Sequence, residues 1–380
     1  MNIAIITWHS GPNAGTFFQL YGLYKYIESK GHHVEVIDYH HVRSDLIARG
    51  WYYFVSQPFA LLKRKIERKK SAIQFAVAES KFHNQIKLRD ERFKTMYSGM
   101  TFTKVVKTDA DFAELNHQFD IFIVGSDQVW NATMLNRRYF LDYVSSERIK
   151  AAYCPSMGSG VVLKHQRKVF QRYLSDFDYI STRELRLKEI LTPLLSKPVE
   201  HLLDPSMLYP RDKYWEMAHL PEQFEPNSYL LCYFLPKNDF QAEQARRFAK
   251  EHGLKLVVMA MHPYSFQVKD AEIYAAAGPQ EFVGLIANAA VIFTSSFHCT
   301  IFSILFHKDV YVFAQKFTNK VADTNQRYIE QLKTYGMMHR YVHWGEEISQ
   351  QHRQTIDYEK VEAIFQQRLK DSYAFLNQFC

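Results

Sequence analysis

The chain has 380 residues, of which 47% are apolar, 15% aromatic and 23% charged, more apolar material than one hydrophobic core usually holds. Only 14 Gly and 12 Pro, with no tract of simple composition and no internal repeat, exclude collagen-like, disordered, solenoid and propeller classes. The formal charge of +7 is local: residues 61–94 carry 11 Lys/Arg against 4 Asp/Glu, the whole-chain excess, which argues for one basic helix and against a nucleic-acid-binding surface spread over the fold.

The apolar, β-branched run 2–7 predicts a first strand, followed by a polar loop from Thr7 to Gly15. Phe17, Leu20, Tyr21, Tyr24 and Ile27 then recur at helical spacing up to Gly31, and Val34 to Ile37 reads as the next strand. Strand, loop, helix, strand is a parallel βαβ unit, whose ligands sit at the carboxyl ends of its strands. Trp8, His9, Asn13 and Gly15 are candidate site residues by that topology alone. Residues 42–100 show no strand pattern and predict a helical insertion of one or two long helices. The sheet resumes at Ile121 to Val124, running into Gly125-Ser126-Asp127-Gln128, and again at Ala151 to Cys154 before Pro155-Ser156-Met157-Gly158. Asp178 to Ser181 gives a third strand tip, opening through Thr182-Arg183-Glu184 into a helix that Pro193 ends.

Pro210, Pro221 and Pro226 form the densest proline cluster and mark the domain junction. Strands at 229–235, 254–261, 291–293 and 310–313 then alternate with helices at 241–251, 281–287 and 300–306. The fold class expected is α/β with two Rossmann-like domains, at 1–208 (helical insertion about 42–100) and 209–357. A last helix over 358–380, apolar at Val361, Ile364, Phe365, Leu369, Tyr373 and Leu376, is expected to pack back on the first domain.

No apolar run approaches the roughly 20 residues that span a bilayer, and the first residues lack the basic segment of a signal peptide, so a cytoplasmic location is expected. Cys154, Cys232, Cys299 and Cys380 are far apart, without zinc or disulfide spacing. The pairs His32-His33 and His40-His41 lack a ligand pattern, and no dinucleotide, Walker A, nucleophile-elbow or calcium-loop motif is present. Neither a metal nor NAD or ATP is expected.

The sharpest chemical signal is Thr294-Ser295-Ser296-Phe297-His298-Cys299-Thr300, between a buried strand and a helix. Free N–H groups at a helix start favour an anion, and the hydroxyls of Ser295, Ser296 and Thr300 would extend that cradle. A capping serine with a solvent-facing histidine gives the same pattern. Arg183 is a candidate bidentate clamp for a carboxylate or phosphate, or else a surface arginine paired with Glu184. Asp127 is a candidate acceptor for a hydroxylated substrate, or else a turn residue, and Trp130 either stacks on a sugar face or fills the core.

These pieces occur in an order that resembles the polysaccharide pyruvyl transferase family. The resemblance rests on Asn13-Ala14-Gly15 with Gln19, Ile123-Val124-Gly125-Ser126-Asp127-Gln128-Val129-Trp130-Asn131, Tyr153-Cys154-Pro155-Ser156-Met157-Gly158, Ser181-Thr182-Arg183-Glu184, Leu203-Asp204-Pro205-Ser206, Gly278-Pro279-Gln280-Glu281-Phe282, Ser296-Phe297-His298, and Asn325 and Arg327 with Leu332 and Arg340. It departs at Cys299, where the family usually has Gly, at Ser295, usually Asp, and at Pro155, usually a small residue. The resemblance implies a GT-B-like pair of domains, phosphoenolpyruvate as donor and co-substrate with no other cofactor, and a sugar diol, free or lipid-linked, as acceptor. A pyruvate ketal on a cell-surface or exopolysaccharide unit would be the product. His298 and Asp127 are then the expected catalytic pair. Arg183, Ser295, Ser296, Thr300, Asn13 and Gly15 would bind donor, and Ser126, Gln128, Trp130 and Ser156 acceptor. A GT-B-type glycosyltransferase using a nucleotide-sugar, or a non-catalytic glycan-binding protein, would share the same architecture. Trp51 to Val55 and Phe59 to Leu62, followed by Lys63-Arg64-Lys65 and Arg68-Lys69-Lys70, suit weak peripheral contact with an anionic membrane face, or an inserted helix with solvated lysines.

Overall fold

A computed structural model describes residues 1–48, 80–131, 135–158, 162, 164–235, 239–316 and 323–380. The aromatic and basic run expected to meet a membrane, and with it residues 49–79 of the expected helical insertion, lie outside the described residues.

The first half is built on β1 (Asn2–Ile6), α1 (Ala14–Ser29) and β2 (His33–Val36), then β3 (Leu46–Ala48), helix α2 over 80–97 and α3 (Asp109–Glu114). It continues through β4 (Ile121–Val124), β5 (Leu135–Asn136), β6 (Ile149–Ala152), α4 (Lys164–Leu174), β7 (Tyr179–Thr182), α5 (Leu185–Leu191) and β8 (Val199–His201). Strands β2-β1-β4-β6-β7-β8 lie side by side in that order, all parallel. β4, Ile-Phe-Ile-Val, is buried at every position, because a parallel sheet is covered by helices on both faces and needs apolar residues throughout.

The second half runs from α6 (Arg211–Met217) through β9 (Tyr229–Tyr233), α7 (Asp239–Glu251), β10 (Lys255–Met259), β11 (Glu272–Tyr274) and α8 (Pro279–Asn288). It closes with β12 (Val291–Thr294), α9 (Phe297–Leu305), β13 (Asp309–Phe313), α10 (Asn325–Thr334), β14 (Tyr341–Val342) and α11 (Tyr358–Leu376). Its parallel order β11-β10-β9-β12-β13-β14 is the Rossmann order, reversing between β9 and β12 as the first sheet reverses between β1 and β4.

Several short elements escape the sequence pattern. β8, β11 and β14 are two- or three-residue edge strands, too short to show a period and in part charged, as edges tend to be. The stretch expected to be wholly helical holds β3, which pairs antiparallel with β5.

One apolar cluster runs from the inner face of the first sheet through α1 to the inner face of the second, while each outer face has its own cluster. Phe18 of α1 meets Phe302 of α9 at 4.7 Å and Phe282 of α8 at 5.6 Å between ring centres. Gly22 lets α1 lie against the Pro205 carbonyl, 2.1 Å from where a Cβ would stand. α11 lies against the first half, with Tyr373 stacked on Tyr26 at 4.9 Å and Ser372 Oγ accepting from the Leu203 N–H at 3.2 Å. α1 is therefore gripped from both sides, and its N-terminus is fixed where the two switch points meet.

Candidate active site

The exits of β1 and β4 are tied together: Thr7 Oγ1 donates to the Ser126 carbonyl at 2.6 Å, with Gly125 packed under it. Asp127 then turns the chain in the left-handed region, φ +69°, which aspartate tolerates better than most residues. Its carboxylate accepts from Thr16 Oγ1 at 2.7 Å and from the Gln128 N–H at 2.8 Å, so it is fixed against the first turn of α1. Asn13 caps that turn, accepting from the Thr16 N–H at 3.2 Å.

Across the cleft β12 leads into α9. Ser296 is the cap, accepting from the Cys299 N–H at 3.4 Å; Ser295 Oγ accepts from the Leu235 N–H at 3.1 Å, and Thr300 Oγ1 donates to the Ser296 carbonyl at 2.9 Å. These hydroxyls are engaged in building the turn, and Ser295 and Thr300 are fully buried. What the turn presents is the start of an α-helix, whose first N–H groups have no intrahelical acceptor, and the side chain of His298.

His298 lies over Gly15: a Cβ at residue 15 would stand 2.3 Å from imidazole Nδ1. Its Nε2 faces Asp204 Oδ2 at 3.7 Å and completes no hydrogen bond. Asp204 also accepts from Arg183 Nη1 at 3.1 Å, from the Ser206 N–H at 2.9 Å and from Ser206 Oγ at 2.7 Å. Arg183 is 1% exposed, yet its Nε and Nη2 have no hydrogen-bond partner. Glu184 braces it at 3.5 Å, held in turn by Ser156 Oγ and the Met157 N–H. The Phe297 ring carries the Arg183 guanidinium at 4.6 Å and that of Arg327, from α10, at 5.6 Å.

Burial pushes the Asp204 carboxyl up, but His298 when protonated, the Arg183 guanidinium and the Ser206 hydrogen bonds outweigh it and hold the group below its ordinary value. Burial lowers the His298 pKa; Asp204 and Asp127 oppose this, and Arg183 and Arg327 reinforce it. The resting imidazole is therefore neutral at neutral pH, next to a buried guanidinium with unused donors. Such an arrangement is suited to an anion, which would supply acceptors to Arg183 and raise the proton affinity of His298.

Asn13, Gly15, Asp127, Arg183, Ser296 and His298 thus converge at the junction of the halves. Ser126, fully buried, accepts from Arg183 Nη1 at 3.4 Å, so it and Ser156 support the arginine cluster. Gln128, half-buried, lies beside Gly158 and accepts from Asn131 Nδ2 at 3.1 Å. Trp130 corrects an expectation: it is 0% exposed, stacked on Phe140 at 5.6 Å and donating Nε1–H to the Tyr139 carbonyl at 2.8 Å, so it offers no face to a sugar. Sequence reasoning passed over Asp204, Phe297 and Arg327 as site residues. Asp204-Pro205-Ser206 reads locally as an ordinary turn cap, and nothing near residue 327 shows that its guanidinium reaches α9. It also passed over Glu330, which spans the halves to accept from the Leu185 N–H at 3.0 Å and the Arg186 N–H at 3.4 Å.

The fold and this junction define a two-domain α/β protein of GT-B-like arrangement. A candidate UDP-N-acetylglucosamine 2-epimerase from Listeria monocytogenes shares it, with TM-score 0.50 at 12% identity over 99% of this chain and 90% of that one. UDP-GlcNAc 2-epimerase from Methanocaldococcus jannaschii aligns over 97% and 93% of the two chains (10% identity, TM-score 0.47). An alpha-glucosyltransferase in complex with UDP aligns over 100% and 96% (12% identity, TM-score 0.48). No curated protein sequence matches the chain. The sequence profile of the polysaccharide pyruvyl transferase family matches residues 13–316, and the chain belongs to that family. It is accordingly a pyruvyl transferase of polysaccharide biosynthesis. Among the described residues no helix is long and apolar enough to cross a membrane.

Proposed function

We propose that this enzyme transfers the enolpyruvyl group of phosphoenolpyruvate to a diol of a sugar in a cell-surface or exopolysaccharide unit, forming a pyruvate ketal and releasing phosphate. The observation that carries this reading is the buried Arg183 guanidinium beside His298, whose Nη2 and Nε complete no hydrogen bond, Nε having only the Glu184 carboxylate at 3.5 Å. A carboxylate or phosphate fits that fork, and Arg327 on the same Phe297 ring and the start of α9 supply further positive potential.

In this reading the methylene carbon of the donor takes a proton while a hydroxyl oxygen of the acceptor bonds to C2. The C2–O bond to phosphate breaks, and the second hydroxyl oxygen completes the ketal. Of the two hydroxyl protons one balances the new methyl group and the other leaves with phosphate. His298 is the general acid, recharged when donor anions raise its proton affinity. Asp204 at Nε2 orients the ring, leaving Nδ1, over Gly15, to carry the transferable proton. Asp127 receives or orients an acceptor hydroxyl. No metal or further cofactor is part of this scheme. The basic run at 63–70 adds a proposed salt-sensitive contact with anionic membrane, tested by co-sedimentation with anionic and neutral liposomes.

The test is phosphate release from phosphoenolpyruvate across a panel of glycosides and lipid-linked oligosaccharides, with nucleotide-sugars as a second donor arm. The expected result is phosphate release coupled to a product heavier by pyruvic acid less water. Glycosyl transfer from a nucleotide-sugar, with phosphoenolpyruvate inert, overturns the proposal.

A further inference from the structure

A second cleft, of about 390 Å³, opens beside the junction on the first half, between the loop after β1, the end of β2 and helix α2. It lies within the size range of small-molecule sites. Two buried polar groups on its lining have no hydrogen-bond partner: both ring nitrogens of His9, a residue 7% exposed, and Tyr97 Oη. His9 Nε2 stands 3.4 Å from Asp38 Oδ1 without an aligned hydrogen bond, and the same Asp38 oxygen meets His40 Nε2 at 3.1 Å. Buried donors and acceptors left open in a native protein are costly, and a ligand that satisfies them removes the cost.

The lining distinguishes between ligand classes. Phe102 stacks on the His9 ring at 5.5 Å, and Phe93 and Tyr97 add aromatic surface. Asp90 is paired with Arg89 at 2.8 Å and Asp38 stands against Lys94, so the lysine and carboxylates of the lining leave no net positive charge to draw a phosphate or carboxylate. Burial, opposed by Asp38, lowers the His9 pKa to about 4, so the ring is neutral at neutral pH and offers one N–H and one lone pair. Paired donor and acceptor sites beside aromatic faces and a carboxylate match an uncharged polyhydroxylated ring. They do not match the anionic donor that Arg183 suits.

The cleft also lies beside the reaction centre. Tyr97 packs edge-on against Phe17 of α1 at 5.1 Å and is near enough to Asp127 for that charge to add to burial in raising its pKa. The His9 loop runs directly into Asn13 and Gly15 beneath His298.

We infer that the His9–Asp38–Tyr97 cleft is the acceptor-sugar site, binding an uncharged hexose unit. This rests on the pyruvyl-transfer reading for its role, but sugar binding there is measurable without the donor. The probe is a panel of methyl α- and β-glycosides of galactose, glucose, mannose and N-acetylglucosamine, titrated by saturation-transfer NMR in the absence of phosphoenolpyruvate. Phosphoenolpyruvate binding is followed separately by thermal shift. At least one glycoside should bind the wild type, and His9→Gln and Tyr97→Phe should each weaken it by about tenfold, with the phosphoenolpyruvate shift retained. Tyr97→Phe removes only the hydroxyl, so it remains informative where a change at His9 disturbs folding. A panel in which nothing binds, or in which binding is indifferent to both substitutions, overturns the assignment. Glycoside binding that depends on these residues in a protein inert toward phosphoenolpyruvate sustains the sugar site and overturns the transfer reaction instead.

Discussion

Gly15, at the start of α1 in the first half, leaves the space that the His298 imidazole of the second half occupies, with Nδ1 2.3 Å from where a Cβ would be. The absence of a side chain at residue 15 is thus what lets the two halves bring a proton-carrying group to the start of α1. Gly15→Ala forces the ring to move or the halves to part. Turnover should fall by roughly a hundredfold, since a shift of about 1 Å in a reacting group has that scale of effect. Steady-state kinetics alongside a melting curve checks it; full activity in a folded variant removes His298 from the reaction centre.

Arg183→Lys keeps the charge beside Asp204 and loses the planar fork. Phosphoenolpyruvate affinity should drop by about tenfold or more, while the fold survives because Asp204 retains a cation. Arg183→Met leaves Asp204 buried and uncompensated, and should cost about 3–5 kcal/mol of stability. Equilibrium denaturation and donor titration of the two variants separate the two effects. Unchanged donor affinity in Arg183→Lys returns the residue to a purely structural role.

Donor binding should draw a proton onto His298. The resting imidazole is neutral because burial lowers its pKa, and Asp204, Glu184 and Asp127 already stand against Arg183 and Arg327, so added anionic charge raises the ring's proton affinity. Titration calorimetry in buffers of different ionisation enthalpy at pH 7 should show more proton uptake in the wild type than in His298→Gln. Affinity for phosphoenolpyruvate should accordingly weaken as pH rises. Equal uptake in both proteins contradicts the assignment.

Stability should respond to pH with two opposite contributions. His9 and His201 are pushed down to about 4 by burial, and burial also lowers His262 and His298. Between about pH 6.5 and 4 the unfolded chain binds more protons at these sites, so stability falls with falling pH across that window. Glu330 runs the other way: burial, with Glu184 nearby, raises it to about 7, so the folded state holds the extra proton and its contribution is lost as pH rises from about 4.5 through 7. Glu330→Gln keeps an acceptor for the α5 N–H groups and removes the titration. Its melting temperature relative to wild type should therefore be higher at pH 8 than at pH 5. A difference that is the same at both pH values shows that Glu330 is not the titrating group.

The strands of both sheet centres were legible in the sequence, because a strand covered on both faces must be apolar throughout, as in Ile121 to Val124 and Val291 to Phe293. So were the tips where chemistry gathers, since strand-to-helix turns are marked by Gly, Ser, Asp and His. The edge strands were not, because two or three residues carry no period. Trp130 illustrates a different limit: an indole after a polar tip fills the core or faces a ligand depending on Phe140 and Phe170, which arrive from elsewhere in the chain. Asp204 became a partner of His298, Arg327 a neighbour of Arg183 across Phe297, and Gly15 the seat of an imidazole 283 positions away only when α1 was gripped between the halves. The sequence alone determined which turns carry donors, acceptors and titratable groups, since that is local chemistry. Which of them share one buried site was decided by tertiary packing, since burial, pKa and the distance between opposing turns are properties of the assembled fold.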